Sequence, residues 1–208
     1  MEKTNSELKI QAKKNLEGNW GLAIIACVIV WLLTAAFTGN GARDTSQAES
    51  FMSLIGFFLT GPLTFGLATI YLKFVRSQNT EFKDLFGGFS YFTNTLLLHF
   101  ITTIFIILWS LLLIIPGIIA FFRYSMAYYI MVDNPELTAL EAIRQSKEMM
   151  RGQKGRLFLL WLSFIGWFFL GLITMGIGFL YLLPYYQATK ANFYEELKDS
   201  YFPDLPYI

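Results

Sequence analysis

Six long apolar runs dominate the chain, and they restrict what it can fold into more than any other feature. They are Trp20 to Phe37, Phe51 to Val75, Thr95 to Ile115, Ile118 to Val132, Leu157 to Met175 and Ile177 to Thr189. Hydrocarbon about 30 Å thick takes roughly 20 helical residues to cross, and a backbone in lipid must pair its amides within its own segment. The runs therefore predict membrane-spanning helices. Composition agrees: 208 residues are 55% apolar and 15% charged, with a mean hydropathy of +0.48. An ordinary soluble domain carries about 25% charged residues.

The fourth and sixth runs are short. Each follows its predecessor across a turn signal, Pro116-Gly117 or Gly176-Ile177-Gly178, which predicts two tight helical hairpins. A continuous kinked or re-entrant segment is the alternative at either turn, and Gly61-Pro62 inside the second run is another place for a kink. Fourteen of the sixteen Lys and Arg fall in segments 1–19, 73–93, 133–156 and 190–208, whereas Gly39 to Ser50 holds only Arg43. By the positive-inside rule, six spans with both termini in the cytoplasm satisfy this asymmetry. Thr34-Ala35-Ala36 near the end of the first run also fits a secretory cleavage site, but the leading segment is long and mixed in charge and five more spans follow.

A polar, helix-forming stretch ending in glycine precedes each pair of spans. Thr4 to Gly18 has Thr4 and Glu7 spaced as a capping box, with Leu8, Ala12 and Leu16 on one face. Thr80 to Gly88 is the second. The third opens at Asn134-Pro135, an N-cap followed by proline, and runs through Leu137, Leu140, Ile143 and Met150 to Gly152. The expectation is an all-α membrane protein: one polytopic domain over 1–208, built of three hairpins with interfacial amphipathic helices. Its repeat units are about 4–75, 80–132 and 134–194, related by a pseudo-threefold axis along the membrane normal, with a cytoplasmic tail over 195–208. The competing account is that any six-span chain with short outer turns looks repetitive. The amphipathic stretches either pack along the headgroups or, chiefly over 136–156, recruit a partner or anionic lipid.

Little in the sequence suggests chemistry. Net charge is +1, so nucleic acid is not an expected partner. Cys27 is the one cysteine and His99 the one histidine; together they exclude a disulfide and a four-ligand zinc site. His99, among Thr95, Thr102 and Thr103, is expected to bond between helices, and Cys27 to pack as a small residue. No phosphate loop, HExxH or GxSxG motif occurs, so no catalytic residues, cofactor or metal are expected, and the chain is read as a non-enzyme. Asp133-Asn134-Pro135-Glu136 suits a helix start. Arg123 is the exception, a charge well inside a span, where insertion costs at least about 2.5–3.5 kcal/mol. It either snorkels outward or meets an anionic headgroup or ligand in a cavity lined by Tyr124, Tyr128 and Tyr129.

Gly61-Pro62-Leu63 with Gly66, Asp84-Leu85-Phe86, Leu112 to Ile119 (LLIIPGII) and Tyr124-Ser125-Met126-Ala127 form a spaced set of motifs. The set continues through Asp133 to Glu136, Ser146-Lys147, Met150 with Gly152, Phe164-Ile165-Gly166-Trp167, Pro184-Tyr185 and Phe193-Tyr194. Over nearly the whole chain this resembles the domain of unknown function 975 family, bacterial integral membrane proteins found mainly in Gram-positive species. The resemblance implies a plasma-membrane protein without an assigned activity. A looser similarity to the membrane domains of some glycerophosphodiesterases hints at phospholipid-related work. The reading that results is a lipid- or protein-binding scaffold in envelope homeostasis, with membrane lipids and a membrane-protein partner or second copy as partners. The alternative is a transporter or permease subunit moving an amphiphile or peptide.

Overall fold

The computed structural model describes residues 3–37 and 47–201, and within them every regular element is helical. In chain order these are α1 (Asn5–Leu16), α2 (Trp20–Phe37), α3 (Gln47–Val75), a 3-10 segment (Phe82–Tyr91), α4 (Phe92–Leu112), α5 (Ile114–Arg123), α6 (Ala127–Asp133), α7 (Ala139–Met149), α8 (Lys154–Leu162), α9 (Ile165–Ile173) and α10 (Ile177–Tyr201). Four stretches are long and apolar enough to cross a bilayer: Ser53–Val75, Phe82–Leu112, Ile114–Asp133 and Lys154–Ile173. A fifth arises if α1 and α2, bent by 99° at their junction, form one broken span. The last apolar run gives way to Lys190 and Glu195 within α10 before it reaches the length of a span.

Local sequence explains the helix starts. Thr4 and Glu7 form the expected capping box, and Leu8, Ala12 and Leu16 are fully buried, mainly against α10. Each fully buried leucine on such a wetted helix is worth about 1.5–3 kcal/mol. The third amphipathic helix starts later than Asn134-Pro135 suggests. Asn134 instead caps the C-terminus of α6, and Thr138 with Glu141 builds the capping box of α7. A hydroxyl followed three residues on by a carboxylate satisfies two N-terminal amides reciprocally, and Asn-Pro offers only one such bond. The two capping boxes lie 134 positions apart, as do the positive-φ glycines Gly18 and Gly152, both at φ +81, that end the two helices.

Chain reversals also differ from the turn signals. The α4–α5 hairpin turns at the extended Leu113, and Pro116 sits inside the first turn of α5, where its missing amide is tolerated. Gly117 then packs tightly on Ser110. The α9–α10 reversal uses Met175 and Gly176, both at positive φ, and brings Gly178 against Gly171. Gly61-Pro62 lies within the continuous α3, and the expected tail is helical as far as Tyr201, with Leu197 and Lys198 buried. Arg43 and residues 202–208 lie outside the described residues.

The amphipathic elements each pack on a preceding or closing return helix: the 3-10 segment on α3, α7 on α6 and α1 on α10. They make one pole of the bundle a dry core that includes Tyr71, Leu85, Met126, Met150 and Phe193. At the far pole the hairpin tips leave Leu111 85%, Ile173 78% and Met175 95% exposed. The α3 contact is the closest: a side chain at Gly66 would overlap the Leu85 carbonyl, and one at Gly88 the Pro62 carbonyl.

Gly66→Ala is therefore expected to cost about 1–3 kcal/mol, the usual range for overpacking, whereas Gly87→Ala, with open space around it, is expected to cost far less. Thermal unfolding in detergent reads both; equal losses would refute the close approach. The caps give a pH dependence. Hydrogen bonds from Thr4 and Thr138 hold the Glu7 and Glu141 carboxyls below their usual 4.5. A depressed carboxylate contributes stability that is present above its unfolded pKa and lost as pH falls through the lowered folded value. Amide exchange in the first turns of α1 and α7, corrected for intrinsic rate, should thus accelerate on acidification below about pH 4, and Glu7→Gln should abolish that dependence in α1.

Candidate functional site

Three helix ends converge at the buried pole, and the charges that sequence patterning treated as solvated loops are packed there instead. Asp133 closes α6, Arg76 follows the last residue of α3, and Tyr194, Glu195 and Lys198 lie on α10 beyond its apolar run. The Arg76 Nη2 stands 2.7 Å from Asp133 Oδ1 and 2.6 Å from Glu195 Oε1, with its Nε donating to the same Glu195 oxygen at 2.9 Å. Tyr194 and Lys198, one turn apart, both reach Asp133 Oδ2: the hydroxyl donates to it at 2.8 Å and the ammonium forms an ion pair with it at 2.8 Å. Asp133 is 6% exposed and Lys198 2%.

Two acids and two bases balance, which is the condition under which charge is tolerated away from water. Burial works against the Arg76 charge, but Asp133 and Glu195 outweigh it and hold its pKa above the usual value. Burial, with Asp133 beside it, pushes the Tyr194 phenol far up, so it remains a donor. A second knot joins the two ends of the described chain. Glu196 Oε1 accepts from the Lys3 backbone N–H and from Arg156 Nη2, each at 2.9 Å, and Arg156 also donates to the Lys3 carbonyl. Between the knots lies a polar cleft of ≈ 360 Å³ lined by Lys3, Gln11, Arg76, Asn192, Glu195 and Glu196. Every charge in the first knot is engaged by another, which makes it a clamp on three helices.

The residues singled out from sequence are not gathered in one place. Arg123 ends the 10-residue α5, so it lies about 15 Å from the reversal at Leu113. That is deeper than six residues from Pro116-Gly117 implies, because the turn is elsewhere. No acid pairs with its guanidinium among the described residues. Its carbonyl accepts from Ser146 Oγ, which in turn accepts from the Met126 N–H, so α7 caps the break between α5 and α6. Tyr124 packs toward Phe105, and Tyr128 bonds His99 Nδ1 at 3.1 Å, both on the α4 side. Tyr129 faces α10, stacked on Tyr194 with Lys190 above its ring. The three tyrosines thus meet two different neighbours. His99 does bond between helices, and Cys27 packs buried with its Sγ 3.1 Å from the Tyr71 hydroxyl. Among the described residues no three His, Cys, Asp or Glu gather as a metal site.

The Asp133 knot was hidden from sequence reasoning because its members lie far apart in the chain. The one local signal was an acid, Asp133, directly after an apolar run. A family model described as "Protein of unknown function (DUF975)" matches residues 1–122 and again 111–200. No curated protein and no solved structure matches the chain.

Removing one partner of a buried ion pair leaves the other uncompensated, at about 3–5 kcal/mol. Asp133→Asn should lower unfolding stability by that order, and Lys198→Met in the same chain should recover part of it. A double-mutant cycle in detergent tests this; a coupling energy near zero would show that the two side chains do not interact.

Proposed function

The chain belongs to the DUF975 family of proteins of unknown function, and from that premise we propose that it is a multi-pass protein of a bacterial plasma membrane that binds lipids or envelope proteins without catalysing a reaction. In this reading six helices form three hairpins about a pseudo-threefold axis, and the basic pole with both termini faces the cytoplasm. The recurrence of one cap and one glycine turn in the first and third units supports the repeat. So does the cyclic order in which the three amphipathic elements pack on three return helices.

The observation that carries the scaffold reading is the contrast between the poles. At one, α1 and α7 turn charged faces outward over a core clamped by ion pairs; at the other, bare apolar hairpin tips match hydrocarbon. A clamp shared by three helix ends suits a fixed platform better than rocking halves. Arg123, without an acidic partner among the described residues, is a contact for an anionic headgroup in this proposal, with Tyr124, Tyr128 and Tyr129 as its neighbours along the chain. Transport of an amphiphile is the second reading, favoured by Pro184 inside α10, where a missing hydrogen bond permits bending.

With Cys27 replaced by Ala, single cysteines at Lys14 and Arg144 should label with a membrane-impermeant maleimide only after cells are opened, and a cysteine at Met175 should label from outside. The reverse pattern would invert the topology. Proteoliposomes of the purified chain should show no flux of labelled lipid or peptide above empty vesicles; saturable flux would replace the scaffold with the transporter.

A further inference from the structure

An apolar groove of ≈ 580 Å³ runs between α8–α9 and α10, a size within the roughly 300–1,000 Å³ of small-molecule sites. Trp161, Phe164 and Phe168 form one wall; Phe179, Leu183 and Tyr186 form the other. Trp161, Phe168 and Leu183 are also exposed, so the groove opens sideways, toward whatever surrounds the helices. Toward the buried pole it is closed by the Phe164 and Tyr186 rings, edge to face at 5.6 Å.

Two lysines adjoin the residues of that end without lining the groove itself. Lys190 follows Tyr186 by one helical turn on the same face of α10. Its Nζ lies 5.4 Å from the Tyr129 ring centroid. From α1, Lys9 places its Nζ 4.2 Å over the Phe164 ring and donates to the Ser163 carbonyl at 3.0 Å. Neither has a carboxylate within ion-pair distance among the described residues, whereas Lys73, Arg76, Arg156 and Lys198 are all paired. Burial already lowers the pKa of Lys9, the sign of a charge short of solvent and counter-ion. An ammonium so placed is stabilised by any anion that reaches it.

Apolar walls that open to the side select hydrocarbon, and unpaired cations beside the closed end select a negative head. We infer that the groove holds one acyl chain of an anionic phospholipid drawn from the surrounding bilayer, with its phosphate on Lys190 and Lys9. This rests on the membrane and lipid-binding reading above and gives it a ligand and a place. The site is separate from Arg123, which is not among its lining residues; Phe122, the residue before Arg123, joins the groove rim through the Phe158 and Trp161 rings.

The test is to reconstitute the full chain in bilayers of equal parts phosphatidylglycerol and phosphatidylcholine, extract it gently and count retained lipids by native mass spectrometry. Wild type should keep about one phosphatidylglycerol per chain in preference to phosphatidylcholine. Lys190→Met should lower that retention at least about tenfold, the scale of one charge-assisted hydrogen bond; Lys190→Arg should keep it, and Leu183→Trp, which fills the groove, should lose it. Equal retention of the two lipids, or retention unchanged in both Lys190→Met and Leu183→Trp, overturns the inference. Loss in Arg123→Leu with none in Lys190→Met also overturns it but leaves lipid binding standing at the other hairpin. A wild type that keeps neither lipid overturns the lipid reading with it.

Discussion

A carboxylate withdrawn from water has to be neutralised where it stands, and Asp133 imposes that requirement on three helices at once. Its two oxygens draw Arg76 from the end of α3 and Lys198 with Tyr194 from α10, so the lengths and crossing points of these helices are tied to one another. Hydrophobic packing does not discriminate strongly between neighbouring registers of greasy helices in lipid, where side chains gain little by leaving an equally apolar surround. A shared charge does: a slip of one residue on α10 would carry both Tyr194 and Lys198 off Oδ2 and Glu195 off Arg76, leaving that Asp133 oxygen without a partner in a dry junction.

The architecture around that junction follows from where water can reach. At the buried pole, α1 and α7 present one wet face and one dry face, so their leucines and alanines gain from burial in the ordinary aqueous sense. Toward the hairpin tips the helices meet through glycines, Gly117 against Ser110 and Gly178 against Gly171, where close backbone approach replaces the missing hydrophobic drive. Two kinds of adhesion are thus divided along one axis.

What the sequence disclosed was what is local. The Thr4–Glu7 box and the Leu8, Ala12, Leu16 stripe were legible because caps and stripes are decided within a few residues. The start of α7 was misplaced because Asn134-Pro135 carries a generic N-terminal signal, while Thr138–Glu141 satisfies two amides and wins. Pro116-Gly117 likewise signals a turn, yet proline is also at home in a first helical turn, and the chain takes that option. The Asp133 clamp could not be read, since Lys198 looked like part of a polar tail and only the fold puts it beside Asp133. The tyrosines near Arg123 follow one another so closely that helical geometry sends them to different neighbours: Tyr124 and Tyr128 to α4, Tyr129 to α10.

The junction of Lys3 with Glu196 spans 193 positions of the chain, and this bears on how such a protein is made. Synthesis delivers α1 well before α10, but the surface on which its leucines rest belongs to α10. Until then α1 has no groove to enter, and Arg76 can find Asp133 but neither charge can find Lys198 or Glu195. Assembly of the buried pole therefore waits for α10, a checkpoint passed only by a chain translated through Lys198. A nascent chain truncated before Tyr194 would hold the Arg76–Asp133 pair but expose the leucine face of α1, with no surface to cover it.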